Sequence, residues 1–376
     1  MPLEYNKQLK YREIYEDLSQ AIVSGKYLVG QVIPAERVLV DHYRVSRPTV
    51  SRAIKELEKA GFLERKQRSG CFVKITPPKQ LTLGLFAPPV IPPNPSIQTV
   101  FDSFATQFTV AANQNQCNCI IANTAPMKTA THSDEILRAA RKTCQDMIQN
   151  RVDGVLYMPL EGDGDMCRIN QHIVQWIRQA GLQVVLLDRD LYLADRRSEF
   201  DLVSLNHHLA SYLLTRHLIE TGAGRIYFAY HKLTSSVEAR LFGHYCALLG
   251  YGRIPDPHCT VVYDILEPEK TKTIIRQMDG DTIVCVNDIL AAFTVQVVQE
   301  MGIRTPEQMR IVGFDDMPMS KYLSPPLTTI SQPMALLAEQ SVKALVQRIA
   351  RPDMPARDIL LSPKLVVRKS CGASAL

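Results

Sequence analysis

Eight polar side chains stand where a small polyol could be held. Asp188-Arg189 follow the apolar run Val184-Val185-Leu186-Leu187; Asn287-Asp288 follow Ile283 to Val286; Asp315-Asp316 follow Ile311-Val312-Gly313-Phe314. Arg240 falls inside a helical stretch, and Gln332 comes just after Leu327-Thr328-Thr329-Ile330. Carboxylates, amides and guanidinium groups can each engage two vicinal hydroxyls. Such groups converging on a cleft would therefore leave a buried neutral polyol fully hydrogen-bonded. An Asp or Asn at a strand end can equally cap the helix that follows, and position alone leaves both roles open.

A second chemistry is written into residues 33–73. From Ser46, an N-cap candidate, and Pro48 in the first turn, the spacing of Val50, Ala53, Ile54 and Leu57 predicts a helix with one buried stripe, ended by Gly61. Ser51, Arg52, Lys55 and Lys59 fall on the other side, and Arg47 occupies the first turn, from which a helix lying in a major groove reaches base edges. A shorter helix over Ala35 to Tyr43 leaves Arg37 free to meet a phosphate. After Gly61, apolar residues flank a basic turn, Glu64 to Gly70, as a hairpin requires, and its tip carries Lys66 and Arg68. Each of these cations alone reads as a solvated charge. Helix, turn, helix and basic hairpin together read as a device for DNA.

The elements that must carry these residues alternate. Strands at 81–86, 117–122, 153–158 and 183–187 are separated by helices at 98–116, 132–149 and 168–180. After a pause at 188–206, helices at 207–221, 234–249, 268–278 and 287–301 alternate with strands at 225–230, 259–263, 282–286 and 309–314. Such alternation builds parallel sheets covered on both faces, and ligands bind beyond the carboxyl ends of their strands. The run is too long for one sheet. The expectation is therefore an α/β fold: a winged helix-turn-helix domain at 1–75, a stiff proline-containing linker at 76–80, and a two-lobed domain at 81–376.

Charge agrees with this division. Residues 1–75 hold 14 Lys and Arg against 9 Asp and Glu, whereas the remaining 301 hold 29 of each, so the whole net charge of +5 sits on the first 75 residues. A local cationic excess attracts phosphate and weakens with salt. With 376 residues, 46% of them apolar, the chain can bury several cores, and no apolar run is long enough for a membrane span. Nine cysteines without C-x-x-C spacing suit reduced thiols and a cytoplasmic location. Cys117-Asn118-Cys119 reads as a strand and His207-His208 as a helix start, so neither predicts a metal site. Thr221-Gly222-Ala223-Gly224 opens like a dinucleotide fingerprint, but Tyr227 stands where its last glycine belongs. With no P-loop, G-x-S-x-G or H-E-x-x-H, neither cofactor nor enzymatic activity is expected.

Residues 8–75 resemble the winged helix-turn-helix domain of GntR-type bacterial regulators. Pro34-Ala35-Glu36-Arg37, Val45-Ser46-Arg47-Pro48-Thr49-Val50, Gly61-Phe62-Leu63 and Gly70-Cys71-Phe72-Val73 carry the likeness. It implies DNA contacts from Arg37, Ser46, Arg47, Thr49, Ser51, Arg52, Lys66, Arg68 and Gly70. Ser51 stands where that family has an arginine, with Arg52 one residue along, and Ser69 replaces the first wing glycine. Residues 81 to about 368 resemble the effector domain of LacI-type regulators and periplasmic sugar-binding proteins. That likeness rests on Val152-Asp153-Gly154-Val155-Leu156, Leu187-Asp188-Arg189, Val286-Asn287-Asp288, Ile311 to Asp316 and Pro326 to Ile330.

The same resemblance implies that Asp188, Arg189, Arg240, Asn287, Asp315 and Gln332 bind an aldose, with a pentose and L-arabinose favoured. A GntR-type head on a LacI-type body is the plan of the arabinose-repressor family. It implies a homodimer on a palindromic double-stranded operator, released by sugar; an activator of the same plan is the alternative. The proline-rich stretch 88–95 departs from the aromatic residues usual there.

Overall fold

A computed structural model describes residues 2–23, 26–66, 69–74, 80–87, 100–128, 132–162, 164–193 and 195–373. The linker residues 76–79, the proline-rich stretch and Arg68 lie outside them. Two compact units divide the chain, Met1–Gln80 and Leu81–Leu376.

The first unit has three helices, α1 (Pro2–Val23), α2 (Glu36–Tyr43) and α3 (Arg47–Lys59), and a hairpin of β1 (Leu63–Lys66) and β2 (Gly70–Val73). Sequence periodicity predicted only the last two helices. The first supplies Ile14, Leu18 and Ile22 at i, i+4 and i+8 to a core that also holds Leu39, Val50, Ile54, Leu57, Leu63 and Val73. Arg44, left-handed at φ 51°, turns α2 into α3. The hairpin pairs Leu63 with Val73 and Lys66 with Gly70. Gly70 has φ +101°, and a Cβ there would come within 2.9 Å of Val32, so this position requires glycine on two counts.

The second unit is two α/β lobes. In the first, β3 (Thr82–Phe86), α4 (Val100–Gln114), β4 (Asn118–Ile121), the one-turn α5 (Ala125–Lys128), α6 (Ser133–Gln149), β5 (Gly154–Tyr157), α7 (Asp165–Gln179), β6 (Gln183–Leu187) and β7 (Asp201–Leu205) follow in order. The chain then crosses at Asn206 into α8 (His207–Glu220), β8 (Ile226–Tyr230), α9 (Ser235–Gly250), β9 (Thr260–Val262), α10 (Pro268–Arg276), β10 (Thr282–Cys285), α11 (Asp288–Glu300), β11 (Arg310–Val312) and β12 (Thr329–Ser331). It returns through Gln332 and Pro333 to α12 (Met334–Ala350) and β13 (Asp358–Leu361), and crosses a third time to β14 (Lys364–Val366).

The first lobe's sheet runs β13-β7-β6-β5-β3-β4, entirely parallel. The second runs β11-β10-β8-β9, also parallel. Beside it, β12 pairs antiparallel with β14 and bridges to Val312 and Asp315. Buried apolar side chains cover both faces of the first sheet, and a third core fills the second lobe.

Two differences from the expected pattern have one cause. The stretch 188–206, read as a pause, contains β7, and the tail carries α12 and β13, which no expectation placed in the first lobe. Asp201 opens β7 fully buried, which hides a strand from any reading of hydropathy. Its carboxylate is satisfied from far along the chain: Arg348 lies 2.7 Å and Arg357 3.1 Å away. Among the described residues no helix is long and apolar enough to cross a membrane.

Candidate functional site

Between the two lobes lies a cleft at the carboxyl ends of the strands, and it is lined by all six residues singled out for a polyol. β6 delivers Asp188 and Arg189, β10 Asn287, β11 Asp315; Arg240 comes from α9, and Gln332 sits on the second crossing. Asp188 and Asp315 are held at φ 68° and 112°, positive values that cost a non-glycine residue on the order of 1–3 kcal/mol and gather at ligand clamps. The Asp188 backbone is tied down on both sides, its N–H donating to the Val203 carbonyl and its own carbonyl accepting from Ser204 Oγ at 2.6 Å.

The cleft side chains form a chain of alternating charge. Arg189 Nη1 donates to Glu161 at 2.6 Å, and its Nε to Asp188 Oδ2 at 3.0 Å. His207 Nε2 lies 3.1 Å from Asp188 Oδ1, and Arg240 Nε lies 3.2 Å from His207 Nδ1. Arg240 also donates to the Val286 carbonyl, stacks 3.8 Å over the Phe314 ring, and comes within 3.9 Å of Asp315. Gln332 Nε2 donates to Asp315 Oδ1 at 2.6 Å. Gly243 makes this approach possible: α9 packs so tightly on α8 that a Cβ there would collide with the His208 carbonyl. Asn287 does two jobs, since its Oδ1 caps α11 through Leu290 N–H at 2.8 Å while its amide N–H groups remain available to the cleft.

Burial sets the electrostatics. It pushes the Asp188 and Glu161 carboxyls up, but Arg189, with His207 for the first and His231 for the second, outweighs it and holds both well below the usual carboxylate range. Asp315 behaves oppositely. Burial pushes it up to about 7, because Arg240 is too distant and Gln332 too weak to offset the lost solvation.

Several lining residues carried no sequence signal. Glu161 and His231, 3.4 Å apart, join the lobes at the cleft. Phe101 and Phe104 of α4 line one wall, whereas Phe86, at the end of the first strand where an aromatic was sought, is buried in the core. His207 was read only as a helix start. Among the described residues no group of three or more His, Cys, Asp or Glu could hold a metal.

On the first unit, Arg37, Ser46, Arg47 and Arg52 are exposed along α2 and α3, Ser51 is half-buried, and Lys66 and Gly70 are exposed at the hairpin. Arg47 is 82% exposed and reaches only a long contact, 3.6 Å, with Glu36. Arg52 stacks 4.1 Å over Tyr11, and Lys66 4.9 Å over Phe72, so both cations are steadied with their charge still available. Thr49 is 8% exposed, with its hydroxyl 2.8 Å from Ser46 Oγ. One expectation needs correction. Ser46 occupies the N-cap position, but its side chain makes that contact instead of accepting a backbone N–H.

A basic winged helix-turn-helix and a hinged two-lobed binding domain on one chain define a ligand-responsive transcriptional regulator. Residues 10–73 match the gntR family of bacterial regulatory proteins, and residues 215–371 a periplasmic binding protein-like domain. The chain is 31% identical to the ribose operon repressor of Haemophilus influenzae over 263 residues, 68% of this chain and 73% of that one. It is 24% identical to the arabinose metabolism transcriptional repressor of Geobacillus stearothermophilus over 376 residues, 96% of this chain and 97% of that one. The fold is that of the transcriptional regulator CelR in complex with cellobiose, with a TM-score of 0.63 at 24% identity, covering 87% of this chain and 91% of that one. The chain belongs to the family of these bacterial transcriptional repressors, with a gntR-type head and a periplasmic binding protein-like body.

Proposed function

We propose that this chain is a cytoplasmic, homodimeric repressor that holds a double-stranded operator through its first unit and releases it when the cleft closes on an aldose, a pentose with L-arabinose favoured. The observation that carries this reading is the convergence of Asp188, Arg189, Arg240, Asn287, Asp315 and Gln332 on one cleft with an aromatic wall. Among the described lining residues, Glu161, Asp188 and Asp315 stand against Arg189, Lys232 and Arg240. Acidic and basic groups interleaved along the cleft, with no cluster of one sign, favour a neutral ligand rich in hydroxyls over an anion or a cation. Phe101 and Phe104 offer an apolar face for the C–H side of a sugar ring. The relatives named for ribose and arabinose operons point to the same ligand class.

Arg37, Ser46, Arg47, Ser51, Arg52 and Lys66 are assigned to DNA, with Arg47 the base reader. Thermal-shift screening of free pentoses and hexoses tests the ligand, since binding to the native state alone raises the melting temperature. The same sugar must then weaken retention of the operator. A screen in which no aldose shifts the melting temperature ends this reading, and transcription that falls on deleting the gene makes the protein an activator.

A further inference from the structure

His207 is the first residue of α8, one position past the crossing at Asn206, and is 5% exposed. Its Nε2 lies 3.1 Å from Asp188 Oδ1, and 3.3 Å from the Asp188 carbonyl; its Nδ1 lies 3.2 Å from Arg240 Nε. A guanidinium can only donate, so Nδ1 must be the accepting nitrogen and the single ring proton must sit on Nε2, donated to Asp188. The tautomer is thus dictated from both sides. A doubly protonated ring would set a second N–H against Arg240 Nε. Burial and Arg240 both hold the imidazole below its ordinary pKa, against the opposing pull of Asp188.

We infer that His207 is a positioning residue: as the neutral Nε2–H imidazole it ties the first-lobe carboxylate of Asp188 to the second-lobe guanidinium of Arg240, and so holds both halves of the cleft in the geometry that receives the ligand. Arg240 reaches it from α9, Asp188 from the end of β6, and the Phe314 ring packs against it at 6.2 Å from beyond β11. Arg189 and Asp315 are the next charges outward, one on each side. With Nε on His207 and Nη1 on the Val286 carbonyl, Arg240 keeps Nη2 for a ligand hydroxyl. Asp188 takes both Arg189 Nε and Nη2 on Oδ2, each at 3.0 Å, and accepting from His207 on Oδ1 it keeps a lone pair there.

This inference rests on the effector reading of the cleft, and two measurements separate their fates. In the first, two-bond ¹⁵N–¹H spectra of the intact, ligand-free chain, with His207 assigned by its loss in His207→Gln, show the Nε2–H tautomer from pH 6 to 8. A Nδ1–H or doubly protonated ring at pH 7 overturns the proposal whatever the ligand. In the second, the affinity for the aldose that best stabilises the wild type falls at least tenfold in His207→Phe, which keeps a ring against Phe314 but makes neither bond. In His207→Gln, whose amide supplies one donor and one acceptor, it stays within about threefold. Unchanged affinity in His207→Phe, or a loss in His207→Gln as large as in His207→Phe, overturns the proposal. Failure of every aldose on the wild type sinks the effector reading instead, and the spectra then decide His207 alone.

Discussion

Asp315 is the cleft carboxyl whose hydrogen bonding is least complete. It has positive φ, a nine-tenths buried side chain, one short bond from Gln332, and a guanidinium no nearer than 3.9 Å. A buried acid so placed is costly when ionised, and a ligand hydroxyl would complete its shell. The folded protein therefore keeps a proton, up to about pH 7, that the unfolded chain releases near the ordinary value of 3.8. Since the folded pKa is the higher one, Asp315 favours folding below about pH 4, and that contribution is lost as pH rises through 7. Replacing it with Asn removes the titration. Asp315→Asn should lower aldose affinity at least tenfold while shrinking the loss of ligand-free stability between pH 5 and 8, read from urea unfolding at the two values. The buried Asp288, pushed by burial up to about 6, retains its own dependence of the same sign in the variant. An undiminished pH slope in Asp315→Asn would remove Asp315 as its source.

The helices and strands that carry these groups were legible where their signal is local. The stripe of α3 and the apolar runs of β6, β8 and β10 stand out because each is buried in a repeating pattern, and Asp188, Asn287 and Asp315 stand out because they end such runs. What stayed hidden is non-local. β7 begins with a carboxylate whose partners come 147 and 156 residues later, so nothing near it announces a strand. His207 acquires a role only when Asp188 and Arg240 are brought to it.

Two substitutions probe these elements. Arg348→Met strips the fully buried Asp201 of its nearer cation and should cost roughly 3 kcal/mol in urea unfolding, as unpairing a buried charge does; a loss below about 1 kcal/mol would show that Arg357 suffices alone. Arg47→Ala, at the exposed start of α3, should weaken specific operator binding by about 1–3 kcal/mol and random duplex far less. Equal losses on both would assign Arg47 to phosphate.

A polypeptide that is proposed both to grip DNA and to close on a sugar can link the two only through free energy. A ligand shifts operator binding by its differential affinity for the two states and no more, so a tenfold release requires about 1.4 kcal/mol. A net hydrogen bond is worth about 1 kcal/mol, so two or three hydroxyls held by the cleft are enough. The polar groups that would hold them sit at the cleft, while the excess positive charge sits in the first 75 residues. Binding and release are therefore separable by mutation. Arg240→Ala should leave operator affinity and its salt slope within about twofold of wild type, because the head is untouched, yet abolish sugar-driven release in a retention assay. Linkage adds a stricter requirement on the unmutated protein. If sugar weakens operator binding by some factor, saturating operator must weaken sugar binding by the same factor, measured by titrating the aldose calorimetrically with and without duplex. Release of DNA by a sugar whose own affinity is indifferent to DNA would mean that the release does not come from sugar binding to this chain.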